Sequence, residues 1–189
     1  MSSTASPKPC QPKVLKLNLG ARDRAMEGFM GMDCDPHSGV DFVGDVSDLS
    51  RFENDTVEEI FASHILEHFE HHKTLTVLKE WARVLKPMGK LYVAVPDFAR
   101  CVDLYKNHGL NDWIVRFLSG DQEYKTAYHY NLFDEGRLAK YLSEAGFVES
   151  YRVDEFEMSL KGDCSNLAST VDGQRVSLNL VAIKGESVA

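Results

Sequence analysis

Cysteine is scarce in this chain: Cys10, Cys34, Cys101 and Cys164 stand far apart, and no two form a C-x-x-C pair. Zinc ribbons and disulfide frameworks need closer or more numerous cysteines, so the expectation is reduced thiols in a cytoplasmic protein. Long apolar runs are missing too. No stretch approaches the roughly 18 residues that would mark a membrane-spanning helix, and no membrane partner is expected. Basic residues are outnumbered, 21 Lys and Arg against 29 Asp and Glu, for a net charge of −8. Binding to nucleic acid neutralises phosphates with clustered cations, so an acidic chain without a basic stripe argues against that partner. The opening MSSTASPKPCQPK has no apolar stretch of the secretory type and reads as a disordered tail over 1–13. The remaining composition, 43% hydrophobic and 26% charged over 189 residues, fits one domain with a sizeable core over 14–184, followed by a short tail at 185–189.

What is present concentrates in residues 57–97. Val57–Ala62 is an apolar-rich strand with Ser63-His64 at its carboxyl end. Leu75, Leu78, Ala82 and Leu85 recur at three- and four-residue steps, which predicts a helix from about His72 to Leu85. Lys86-Pro87-Met88-Gly89 ends it with a tight reversal, and Leu91–Val95 comes next as a doubly buried strand. A βαβ unit of this kind is right-handed, and parallel sheets bind ligands beyond the carboxyl ends of their strands. His64, Glu67, His68 and Asp97 fall at that edge.

The rest of the chain extends the same sheet. Val14–Leu19, Phe29–Asp33 and Val40–Gly44 read as strands, and 99–106 and 111–118 as helices. Asp134 caps a further helix closed by Gly146. Val148–Asp154 and Val176–Ile183 read as strands, the last antiparallel because no helical crossover precedes it. The fold class is therefore α/β, a Rossmann-like and mostly parallel sheet with an antiparallel C-terminal strand. Its first half is short of helices: nine residues separate Leu19 from Phe29 and six separate Asp33 from Val40, whereas parallel crossovers normally need a dozen or more. The uncovered face then needs another cover, for which the N-terminal tail, the Thr126–Asn131 segment and a second copy of the chain in a homodimer are the candidates.

Several runs together, Leu17-Asn18-Leu19-Gly20, Asp33, Asp45-Val46, ASHILEHF, EWARVLKPMGKLYVAVPD and LFDEGRLAKYLSEAGF, resemble class I S-adenosylmethionine-dependent methyltransferases, most closely a small bacterial branch. The resemblance spans about residues 14–184. It implies S-adenosyl-L-methionine as cofactor and, as acceptor, a small molecule or saccharide with an O or N nucleophile. It also implies a cofactor loop of Asn18, Gly20, Ala21 and Arg22, where Arg22 stands at the family's second glycine and Met88 replaces another. By the same resemblance Asp45 accepts from the adenine amino group and Val46 offers its backbone. Ser63 lines the methionine end of the cofactor.

Individual residues also admit plainer readings. Gly20 at a strand end lets backbone approach a cofactor closely, or is only a turn. Arg22 either crowds the cofactor or grips its carboxylate. Asp33 can accept from both ribose hydroxyls, with Asp35 as a nearby competitor and a turn as its plain role. Asp48 can cap the segment after it. His64 faces the substrate side, and His129 in AYHYNLF is either a general base or a packed loop histidine. Tyr105, Trp113, Tyr128 and Tyr130 line an acceptor pocket or belong to the core. The H-x-x-E-H spacing of His64, Glu67 and His68 is also a zinc-hydrolase signature. That alternative needs both histidines inside one helix, and methyl transfer itself calls for no metal. His68, His71 and His72 then read as a solvated helix start. A non-catalytic cofactor-binding scaffold is the remaining alternative.

Overall fold

The structure, a computed structural model, describes residues 14–123, 126–158, 165 and 172–186. The expected tail at 1–13 with Cys10, Cys164, and residues 187–189 lie outside the described residues. Strands Leu15–Leu19 (β1), Met30–Asp33 (β2), Phe42–Val43 (β3), Val57–Ser63 (β4), Leu85–Pro96 (β5), Phe147–Val153 (β6) and Ser177–Lys184 (β7) form one sheet in the order β3-β2-β1-β4-β5-β7-β6. The first five strands run parallel, and β7 pairs antiparallel with both β5 and β6. The helices are Thr74–Val84 (α1), Phe98–His108 (α2), Asp112–Ser119 (α3) and Glu135–Ala145 (α4), with a 3₁₀ turn at Leu66–His68.

The expected elements form, with shifted ends that have physical causes. The third strand has two residues rather than the expected Val40–Gly44. Just before it, Asp41 meets Gly31 twice: its N–H donates to the Gly31 carbonyl and its carboxylate accepts the Gly31 N–H, each at 2.8 Å. The fifth strand starts at Leu85 rather than Leu91, yet the expected reversal survives inside it. Its register with β4 jumps from Val57↔Leu85 to Glu59↔Lys90, so Lys86–Gly89 bulges out. Met88 sits there at φ 62°, a left-handed conformation that glycine would adopt without strain.

One sheet face carries α1 and α4. Val77, Leu78, Trp81 and Ala82 of α1 and Leu138 and Leu142 of α4 are buried against Leu17, Ile60, Leu91, Val93 and Leu180. Asp134 caps α4 through the Arg137 N–H at 2.7 Å, and Gly146 ends it at φ 104°. The opposite face has a thinner cover. Met26 and Phe29, from the β1–β2 connection, and Phe156, after β6, pack on Phe61, Tyr92 and Val181. Thr126–Asn131 was one expected cover for that face, but it lies elsewhere: the N–H groups of Tyr130 and Asn131 donate to the Glu67 carbonyl, at 2.8 and 3.2 Å, placing the segment at the carboxyl edge. Gly185, expected in the tail, is buried and donates its N–H to the Gly146 carbonyl at 3.1 Å.

Among the described residues no helix joins β1 to β2, β2 to β3 or β3 to β4. Side chains hold these connections instead. The Asn18 amide donates to the Arg24 carbonyl at 3.0 Å, and the Arg24 guanidinium to the Gly20 carbonyl at 3.2 Å. Farther on, Glu80 and Arg83 of α1 grip the β3–β4 connection. Glu80 accepts the Leu49 N–H at 2.9 Å, while Arg83 donates to the carbonyls of Leu49 and Phe52 at 3.0 and 3.1 Å. Trp81 adds an indole N–H to the Val46 carbonyl at 2.9 Å.

Candidate active site

A cavity of about 1140 Å³ opens at the carboxyl edge of the parallel strands. It is lined at one end by Gly20, Arg22, Asp33, Asp45 and Val46, and at the other by Ser63, His64, Trp113, Phe117 and His129. Eight of the ten expected site residues thus share one cavity. Asn18 and Ala21 do not line it: both are buried, Asn18 bracing Arg24 and Ala21 donating its N–H to the Met32 carbonyl at 3.2 Å.

The Gly20–Val46 end is built from strand termini. Gly20 turns at φ 72°, and a Cβ there would meet the Ile65 side chain at 2.0 Å, so the loop passes where no other residue fits without displacement. Arg22 adopts φ 46°, the left-handed conformation of the glycine it replaces, at a cost of about 1–2 kcal/mol. Its N–H donates to Asp33 Oδ2 at 3.2 Å, and the Asp35 N–H donates to Asp33 Oδ1 at 3.3 Å. Asp33 is therefore a fixed carboxylate at the end of β2. Asp35, its expected competitor, serves as a donor to it. Asp45 accepts from both the N–H and the hydroxyl of Ser47 through Oδ1, at 2.8 and 2.7 Å, which fixes its carboxylate at the rim. Asp48 does the same for the Ser50 N–H at 3.0 Å. Cys34, between Asp33 and Asp35, has its thiol pushed up to about 11 by partial burial and the Asp33 carboxylate, so it supplies no thiolate near neutral pH.

The opposite end gathers three imidazoles around one carboxylate. Glu67 is wholly buried. His64 Nδ1 pairs with Oε1 at 3.0 Å, and His129 Nε2 stands 4.0 Å from the same atom. Burial raises the Glu67 pKa, but the charge and hydrogen bond of His64, with the charges of His68 and His129, outweigh it and hold the carboxyl below its usual range. Burial pushes the His129 imidazole below its ordinary value against the opposing pull of Glu67.

The ring nitrogens are constrained individually. His64, at φ 53°, shares Nε2 with the Ser177 hydroxyl at 2.8 Å, so both of its nitrogens are engaged. His129 Nδ1 lies 3.0 Å from the Phe117 carbonyl, and His68 Nδ1 lies 2.9 Å from the Tyr128 carbonyl. A carbonyl only accepts, so both Nδ1 atoms carry protons and both Nε2 atoms are left with lone pairs in the neutral rings. The rings of His68 and His129 meet edge to face at 4.8 Å. The sequence groups His68 with His71 and His72, but the structure separates them: His68 is half-buried in the cavity wall, while His71 and His72 are exposed.

Of the expected aromatics, Trp113 and Tyr130 line the cavity, Trp113 stacked on Phe117 at 4.9 Å. Tyr105 is exposed on α2, and Tyr128 stacks on Tyr130 outside the lining. Asp97 caps α2 and pairs with Arg152 at 2.8 Å, away from the cavity. Sequence reasoning missed Arg24, which lines the cavity beside the cofactor loop, and left Glu67 and His68 to the hydrolase alternative. That alternative fails on geometry, since His64 ends a strand and His68 lies on a 3₁₀ turn, not together inside one helix.

The strand order, the carboxylates at the ends of β2 and β3 and the opposed histidine wall define a class, a Rossmann-like domain with a two-ended cavity at the switch edge of its sheet. Residues 24–93 match the family model of the methyltransferase domain. Over that stretch the chain is similar to a methyltransferase domain, in keeping with its resemblance to the class I S-adenosylmethionine-dependent methyltransferases. No curated protein sequence matches it significantly. Among solved structures it is similar to the complex of the Haloferax volcanii Trm112 methyltransferase activator with a methyltransferase (16% identity, TM-score 0.60, covering 96% of this chain and 86% of that one). It is also similar to a SAM-dependent methyltransferase from Methanosarcina mazei (18% identity, TM-score 0.59, covering 92% and 93%). A third is the Burkholderia thailandensis 1,6-didemethyltoxoflavin-N1-methyltransferase, solved with 1,6-didemethyltoxoflavin and S-adenosylhomocysteine (17% identity, TM-score 0.56, covering 91% and 71%). At these identities the likeness is one of fold. No helix among the described residues is long and apolar enough to cross a membrane.

Proposed function

We propose that the Gly20–Val46 end of the cavity holds S-adenosylmethionine and that the histidine end receives an O or N nucleophile of a small molecule or saccharide. The observation that carries this reading is the single cavity joining strand-end carboxylates to an aromatic and imidazole wall. The donor set fits the cofactor. Asp33 offers a carboxylate to vicinal hydroxyls, Asp45 and the Val46 backbone face an adenine-like edge, and Arg22 and Arg24 place cations where a carboxylate would lie. The bound cofactor supplies a methyl group made electrophilic by a positively charged sulfur. The chain's own work is alignment of the acceptor and removal of its proton. His129, with its Nδ1 proton tied to Phe117 and its Nε2 lone pair turned toward Glu67, is the group that receives that proton. His64, with both nitrogens engaged, holds Glu67 and Ser177 in place. The reaction takes place in the cytoplasm on this reading.

The scaffold alternative draws on Arg22 and Met88 at glycine positions. Both residues keep the left-handed backbone of the glycines they replace, so the loop shape persists. Calorimetry with S-adenosylhomocysteine, followed by a labelled-methyl screen against cell extract, tests the reading. Micromolar binding and a labelled product support it; absence of binding overturns it. Once an acceptor is found, His129→Ala should lower kcat by about 10²–10⁴-fold with cofactor affinity nearly unchanged.

A further inference from the structure

We infer that Glu67, His68 and His129 form a binding site for a divalent transition-metal ion of the zinc type at the acceptor end of the cavity. One ligand atom from each of the three residues lies within 4.8 Å of the other two. Donors on a tetrahedral zinc stand about 3.3 Å apart at bond lengths of roughly 2.0–2.2 Å, so side-chain adjustments of about an ångström close the set.

Three features distinguish this group from a chance cluster. The first is the Glu67 carboxylate, wholly buried among imidazoles, with His64 Nδ1 at 3.0 Å and His129 Nε2 at 4.0 Å from the same oxygen, Oε1. An anion in such a place needs a positive partner. The second is the tautomer imposed on both histidines. Phe117 and Tyr128 hold the Nδ1 protons through their carbonyls, which leaves two Nε2 lone pairs and a carboxylate with no proton between them. Metal-bound histidines are held this way, by a backbone carbonyl on the other ring nitrogen. The third is origin: Glu67 and His68 sit on the 3₁₀ turn after β4, while His129 comes from the segment folded over it, which is itself anchored to the Glu67 carbonyl through Tyr130 and Asn131. One turn and one anchored strap hold the three donors.

Two imidazole nitrogens and one carboxylate favour zinc, cobalt, iron(II) or manganese over magnesium and calcium, which take oxygen ligands. Three protein donors leave a coordination position open to the cavity, as in catalytic rather than structural zinc sites. His64 stays outside the set because Ser177 takes its Nε2. Where the proposed methyl transfer holds, the ion would bind the acceptor heteroatom and promote loss of its proton, with His129 then a ligand and not the base. The role in transfer rests on that reading; the site itself does not.

The test uses chelator-treated full-length protein titrated with Zn²⁺ and Co²⁺. The expected result is one equivalent retained through dialysis and a visible Co²⁺ absorption band. Glu67→Gln, which keeps volume and backbone contacts, and His68→Ala should each weaken binding by about 100-fold or more, at least the upper loss seen when a supporting partner of a ligand is removed. The double change His71→Ala with His72→Ala should leave it intact. Circular dichroism checks that each variant folds. Failure of the wild type to retain an ion, or retention that depends on His71 and His72, overturns the inference. Calorimetry with S-adenosylhomocysteine in chelator separates the two ideas. Cofactor binding without ion retention sinks the metal site alone, and ion retention without cofactor binding sinks the methyltransferase reading alone.

Discussion

The two halves of the sheet reach the same cavity by different means. From β4 onward, helices cover one face and position the edge: α1 and α4 pack on it, and α3 brings Trp113 and Phe117 to the acceptor wall. From β1 to β3 there are no helices among the described residues, and the connections are fixed by side chains reaching backbone atoms. A helix satisfies its own backbone, whereas an irregular connection must find a partner for every buried N–H and carbonyl. The β1–β3 half therefore uses its own Asn18, Arg24 and Asp41 for that task, and for its longest connection it depends on Glu80 and Arg83 of α1 from the other half. The comparison teaches that a reduced sheet keeps its binding edge only by borrowing polar side chains.

Removing the point where the halves join should have the largest effect. Trp81 is fully buried and bonds to the Val46 carbonyl, so Trp81→Ala should cost about 3–5 kcal/mol in urea denaturation. A loss below about 1 kcal/mol would mean that the halves are held some other way. Next in size is Asp33→Ala, which should weaken S-adenosylhomocysteine binding by about 1.5–3 kcal/mol, the range for a lost hydrogen bond to a charged group. Unchanged affinity by calorimetry would remove Asp33 from the ribose role.

Glu80→Ala should cost about 1–3 kcal/mol by leaving the Leu49 N–H without its acceptor, with hydrogen exchange accelerated at 45–56 before other strands. The Arg83 hydrogen bond holds the Glu80 carboxyl below its usual value of 4.5. A depressed folded pKa stabilises above the unfolded value and loses that effect as pH falls, so the deficit of the variant should shrink below about pH 4.5. A deficit that is independent of pH would show that packing alone is lost. The smallest effect is expected at Arg22, where glycine relieves the left-handed strain but adds unfolded-state entropy, a net gain of about 1 kcal/mol or less. The same change should weaken cofactor binding if the guanidinium contacts the cofactor carboxylate and tighten it if the side chain crowds the site.

The sheet and its strand ends were legible in the sequence because burial on both faces writes near-continuous apolar runs, as in Leu91–Val95 and Leu178–Ile183. Helical period and the Asp134 and Gly146 caps placed α4 to within a residue. The Gly20–Val46 end of the cavity was equally legible, since its residues come directly after strands. The acceptor end was not. His68 and His129 are 61 positions apart in the sequence, and their meeting depends on two backbone N–H bonds to the Glu67 carbonyl, which no residue type announces. A short run of His and Glu reads as a polar helix start unless that strap is known. Arg24 was hidden similarly, as its guanidinium folds back four residues to Gly20.

The placement of β7 bears on the order in which the molecule can assemble during synthesis. Strands β1, β4 and β5 can pair once the chain through Pro96 has left the ribosome, but β6 joins the sheet through β7. Until Ser177–Lys184 emerges, the growing chain presents the open edge of β5 and an unpaired β6 whose side chains include Val148 and Tyr151. Exposed edges of this kind attract other chains. The last strand of this sheet in chain order is one of the most buried, so the sheet stays unsealed during synthesis until Ser177–Lys184 has been made.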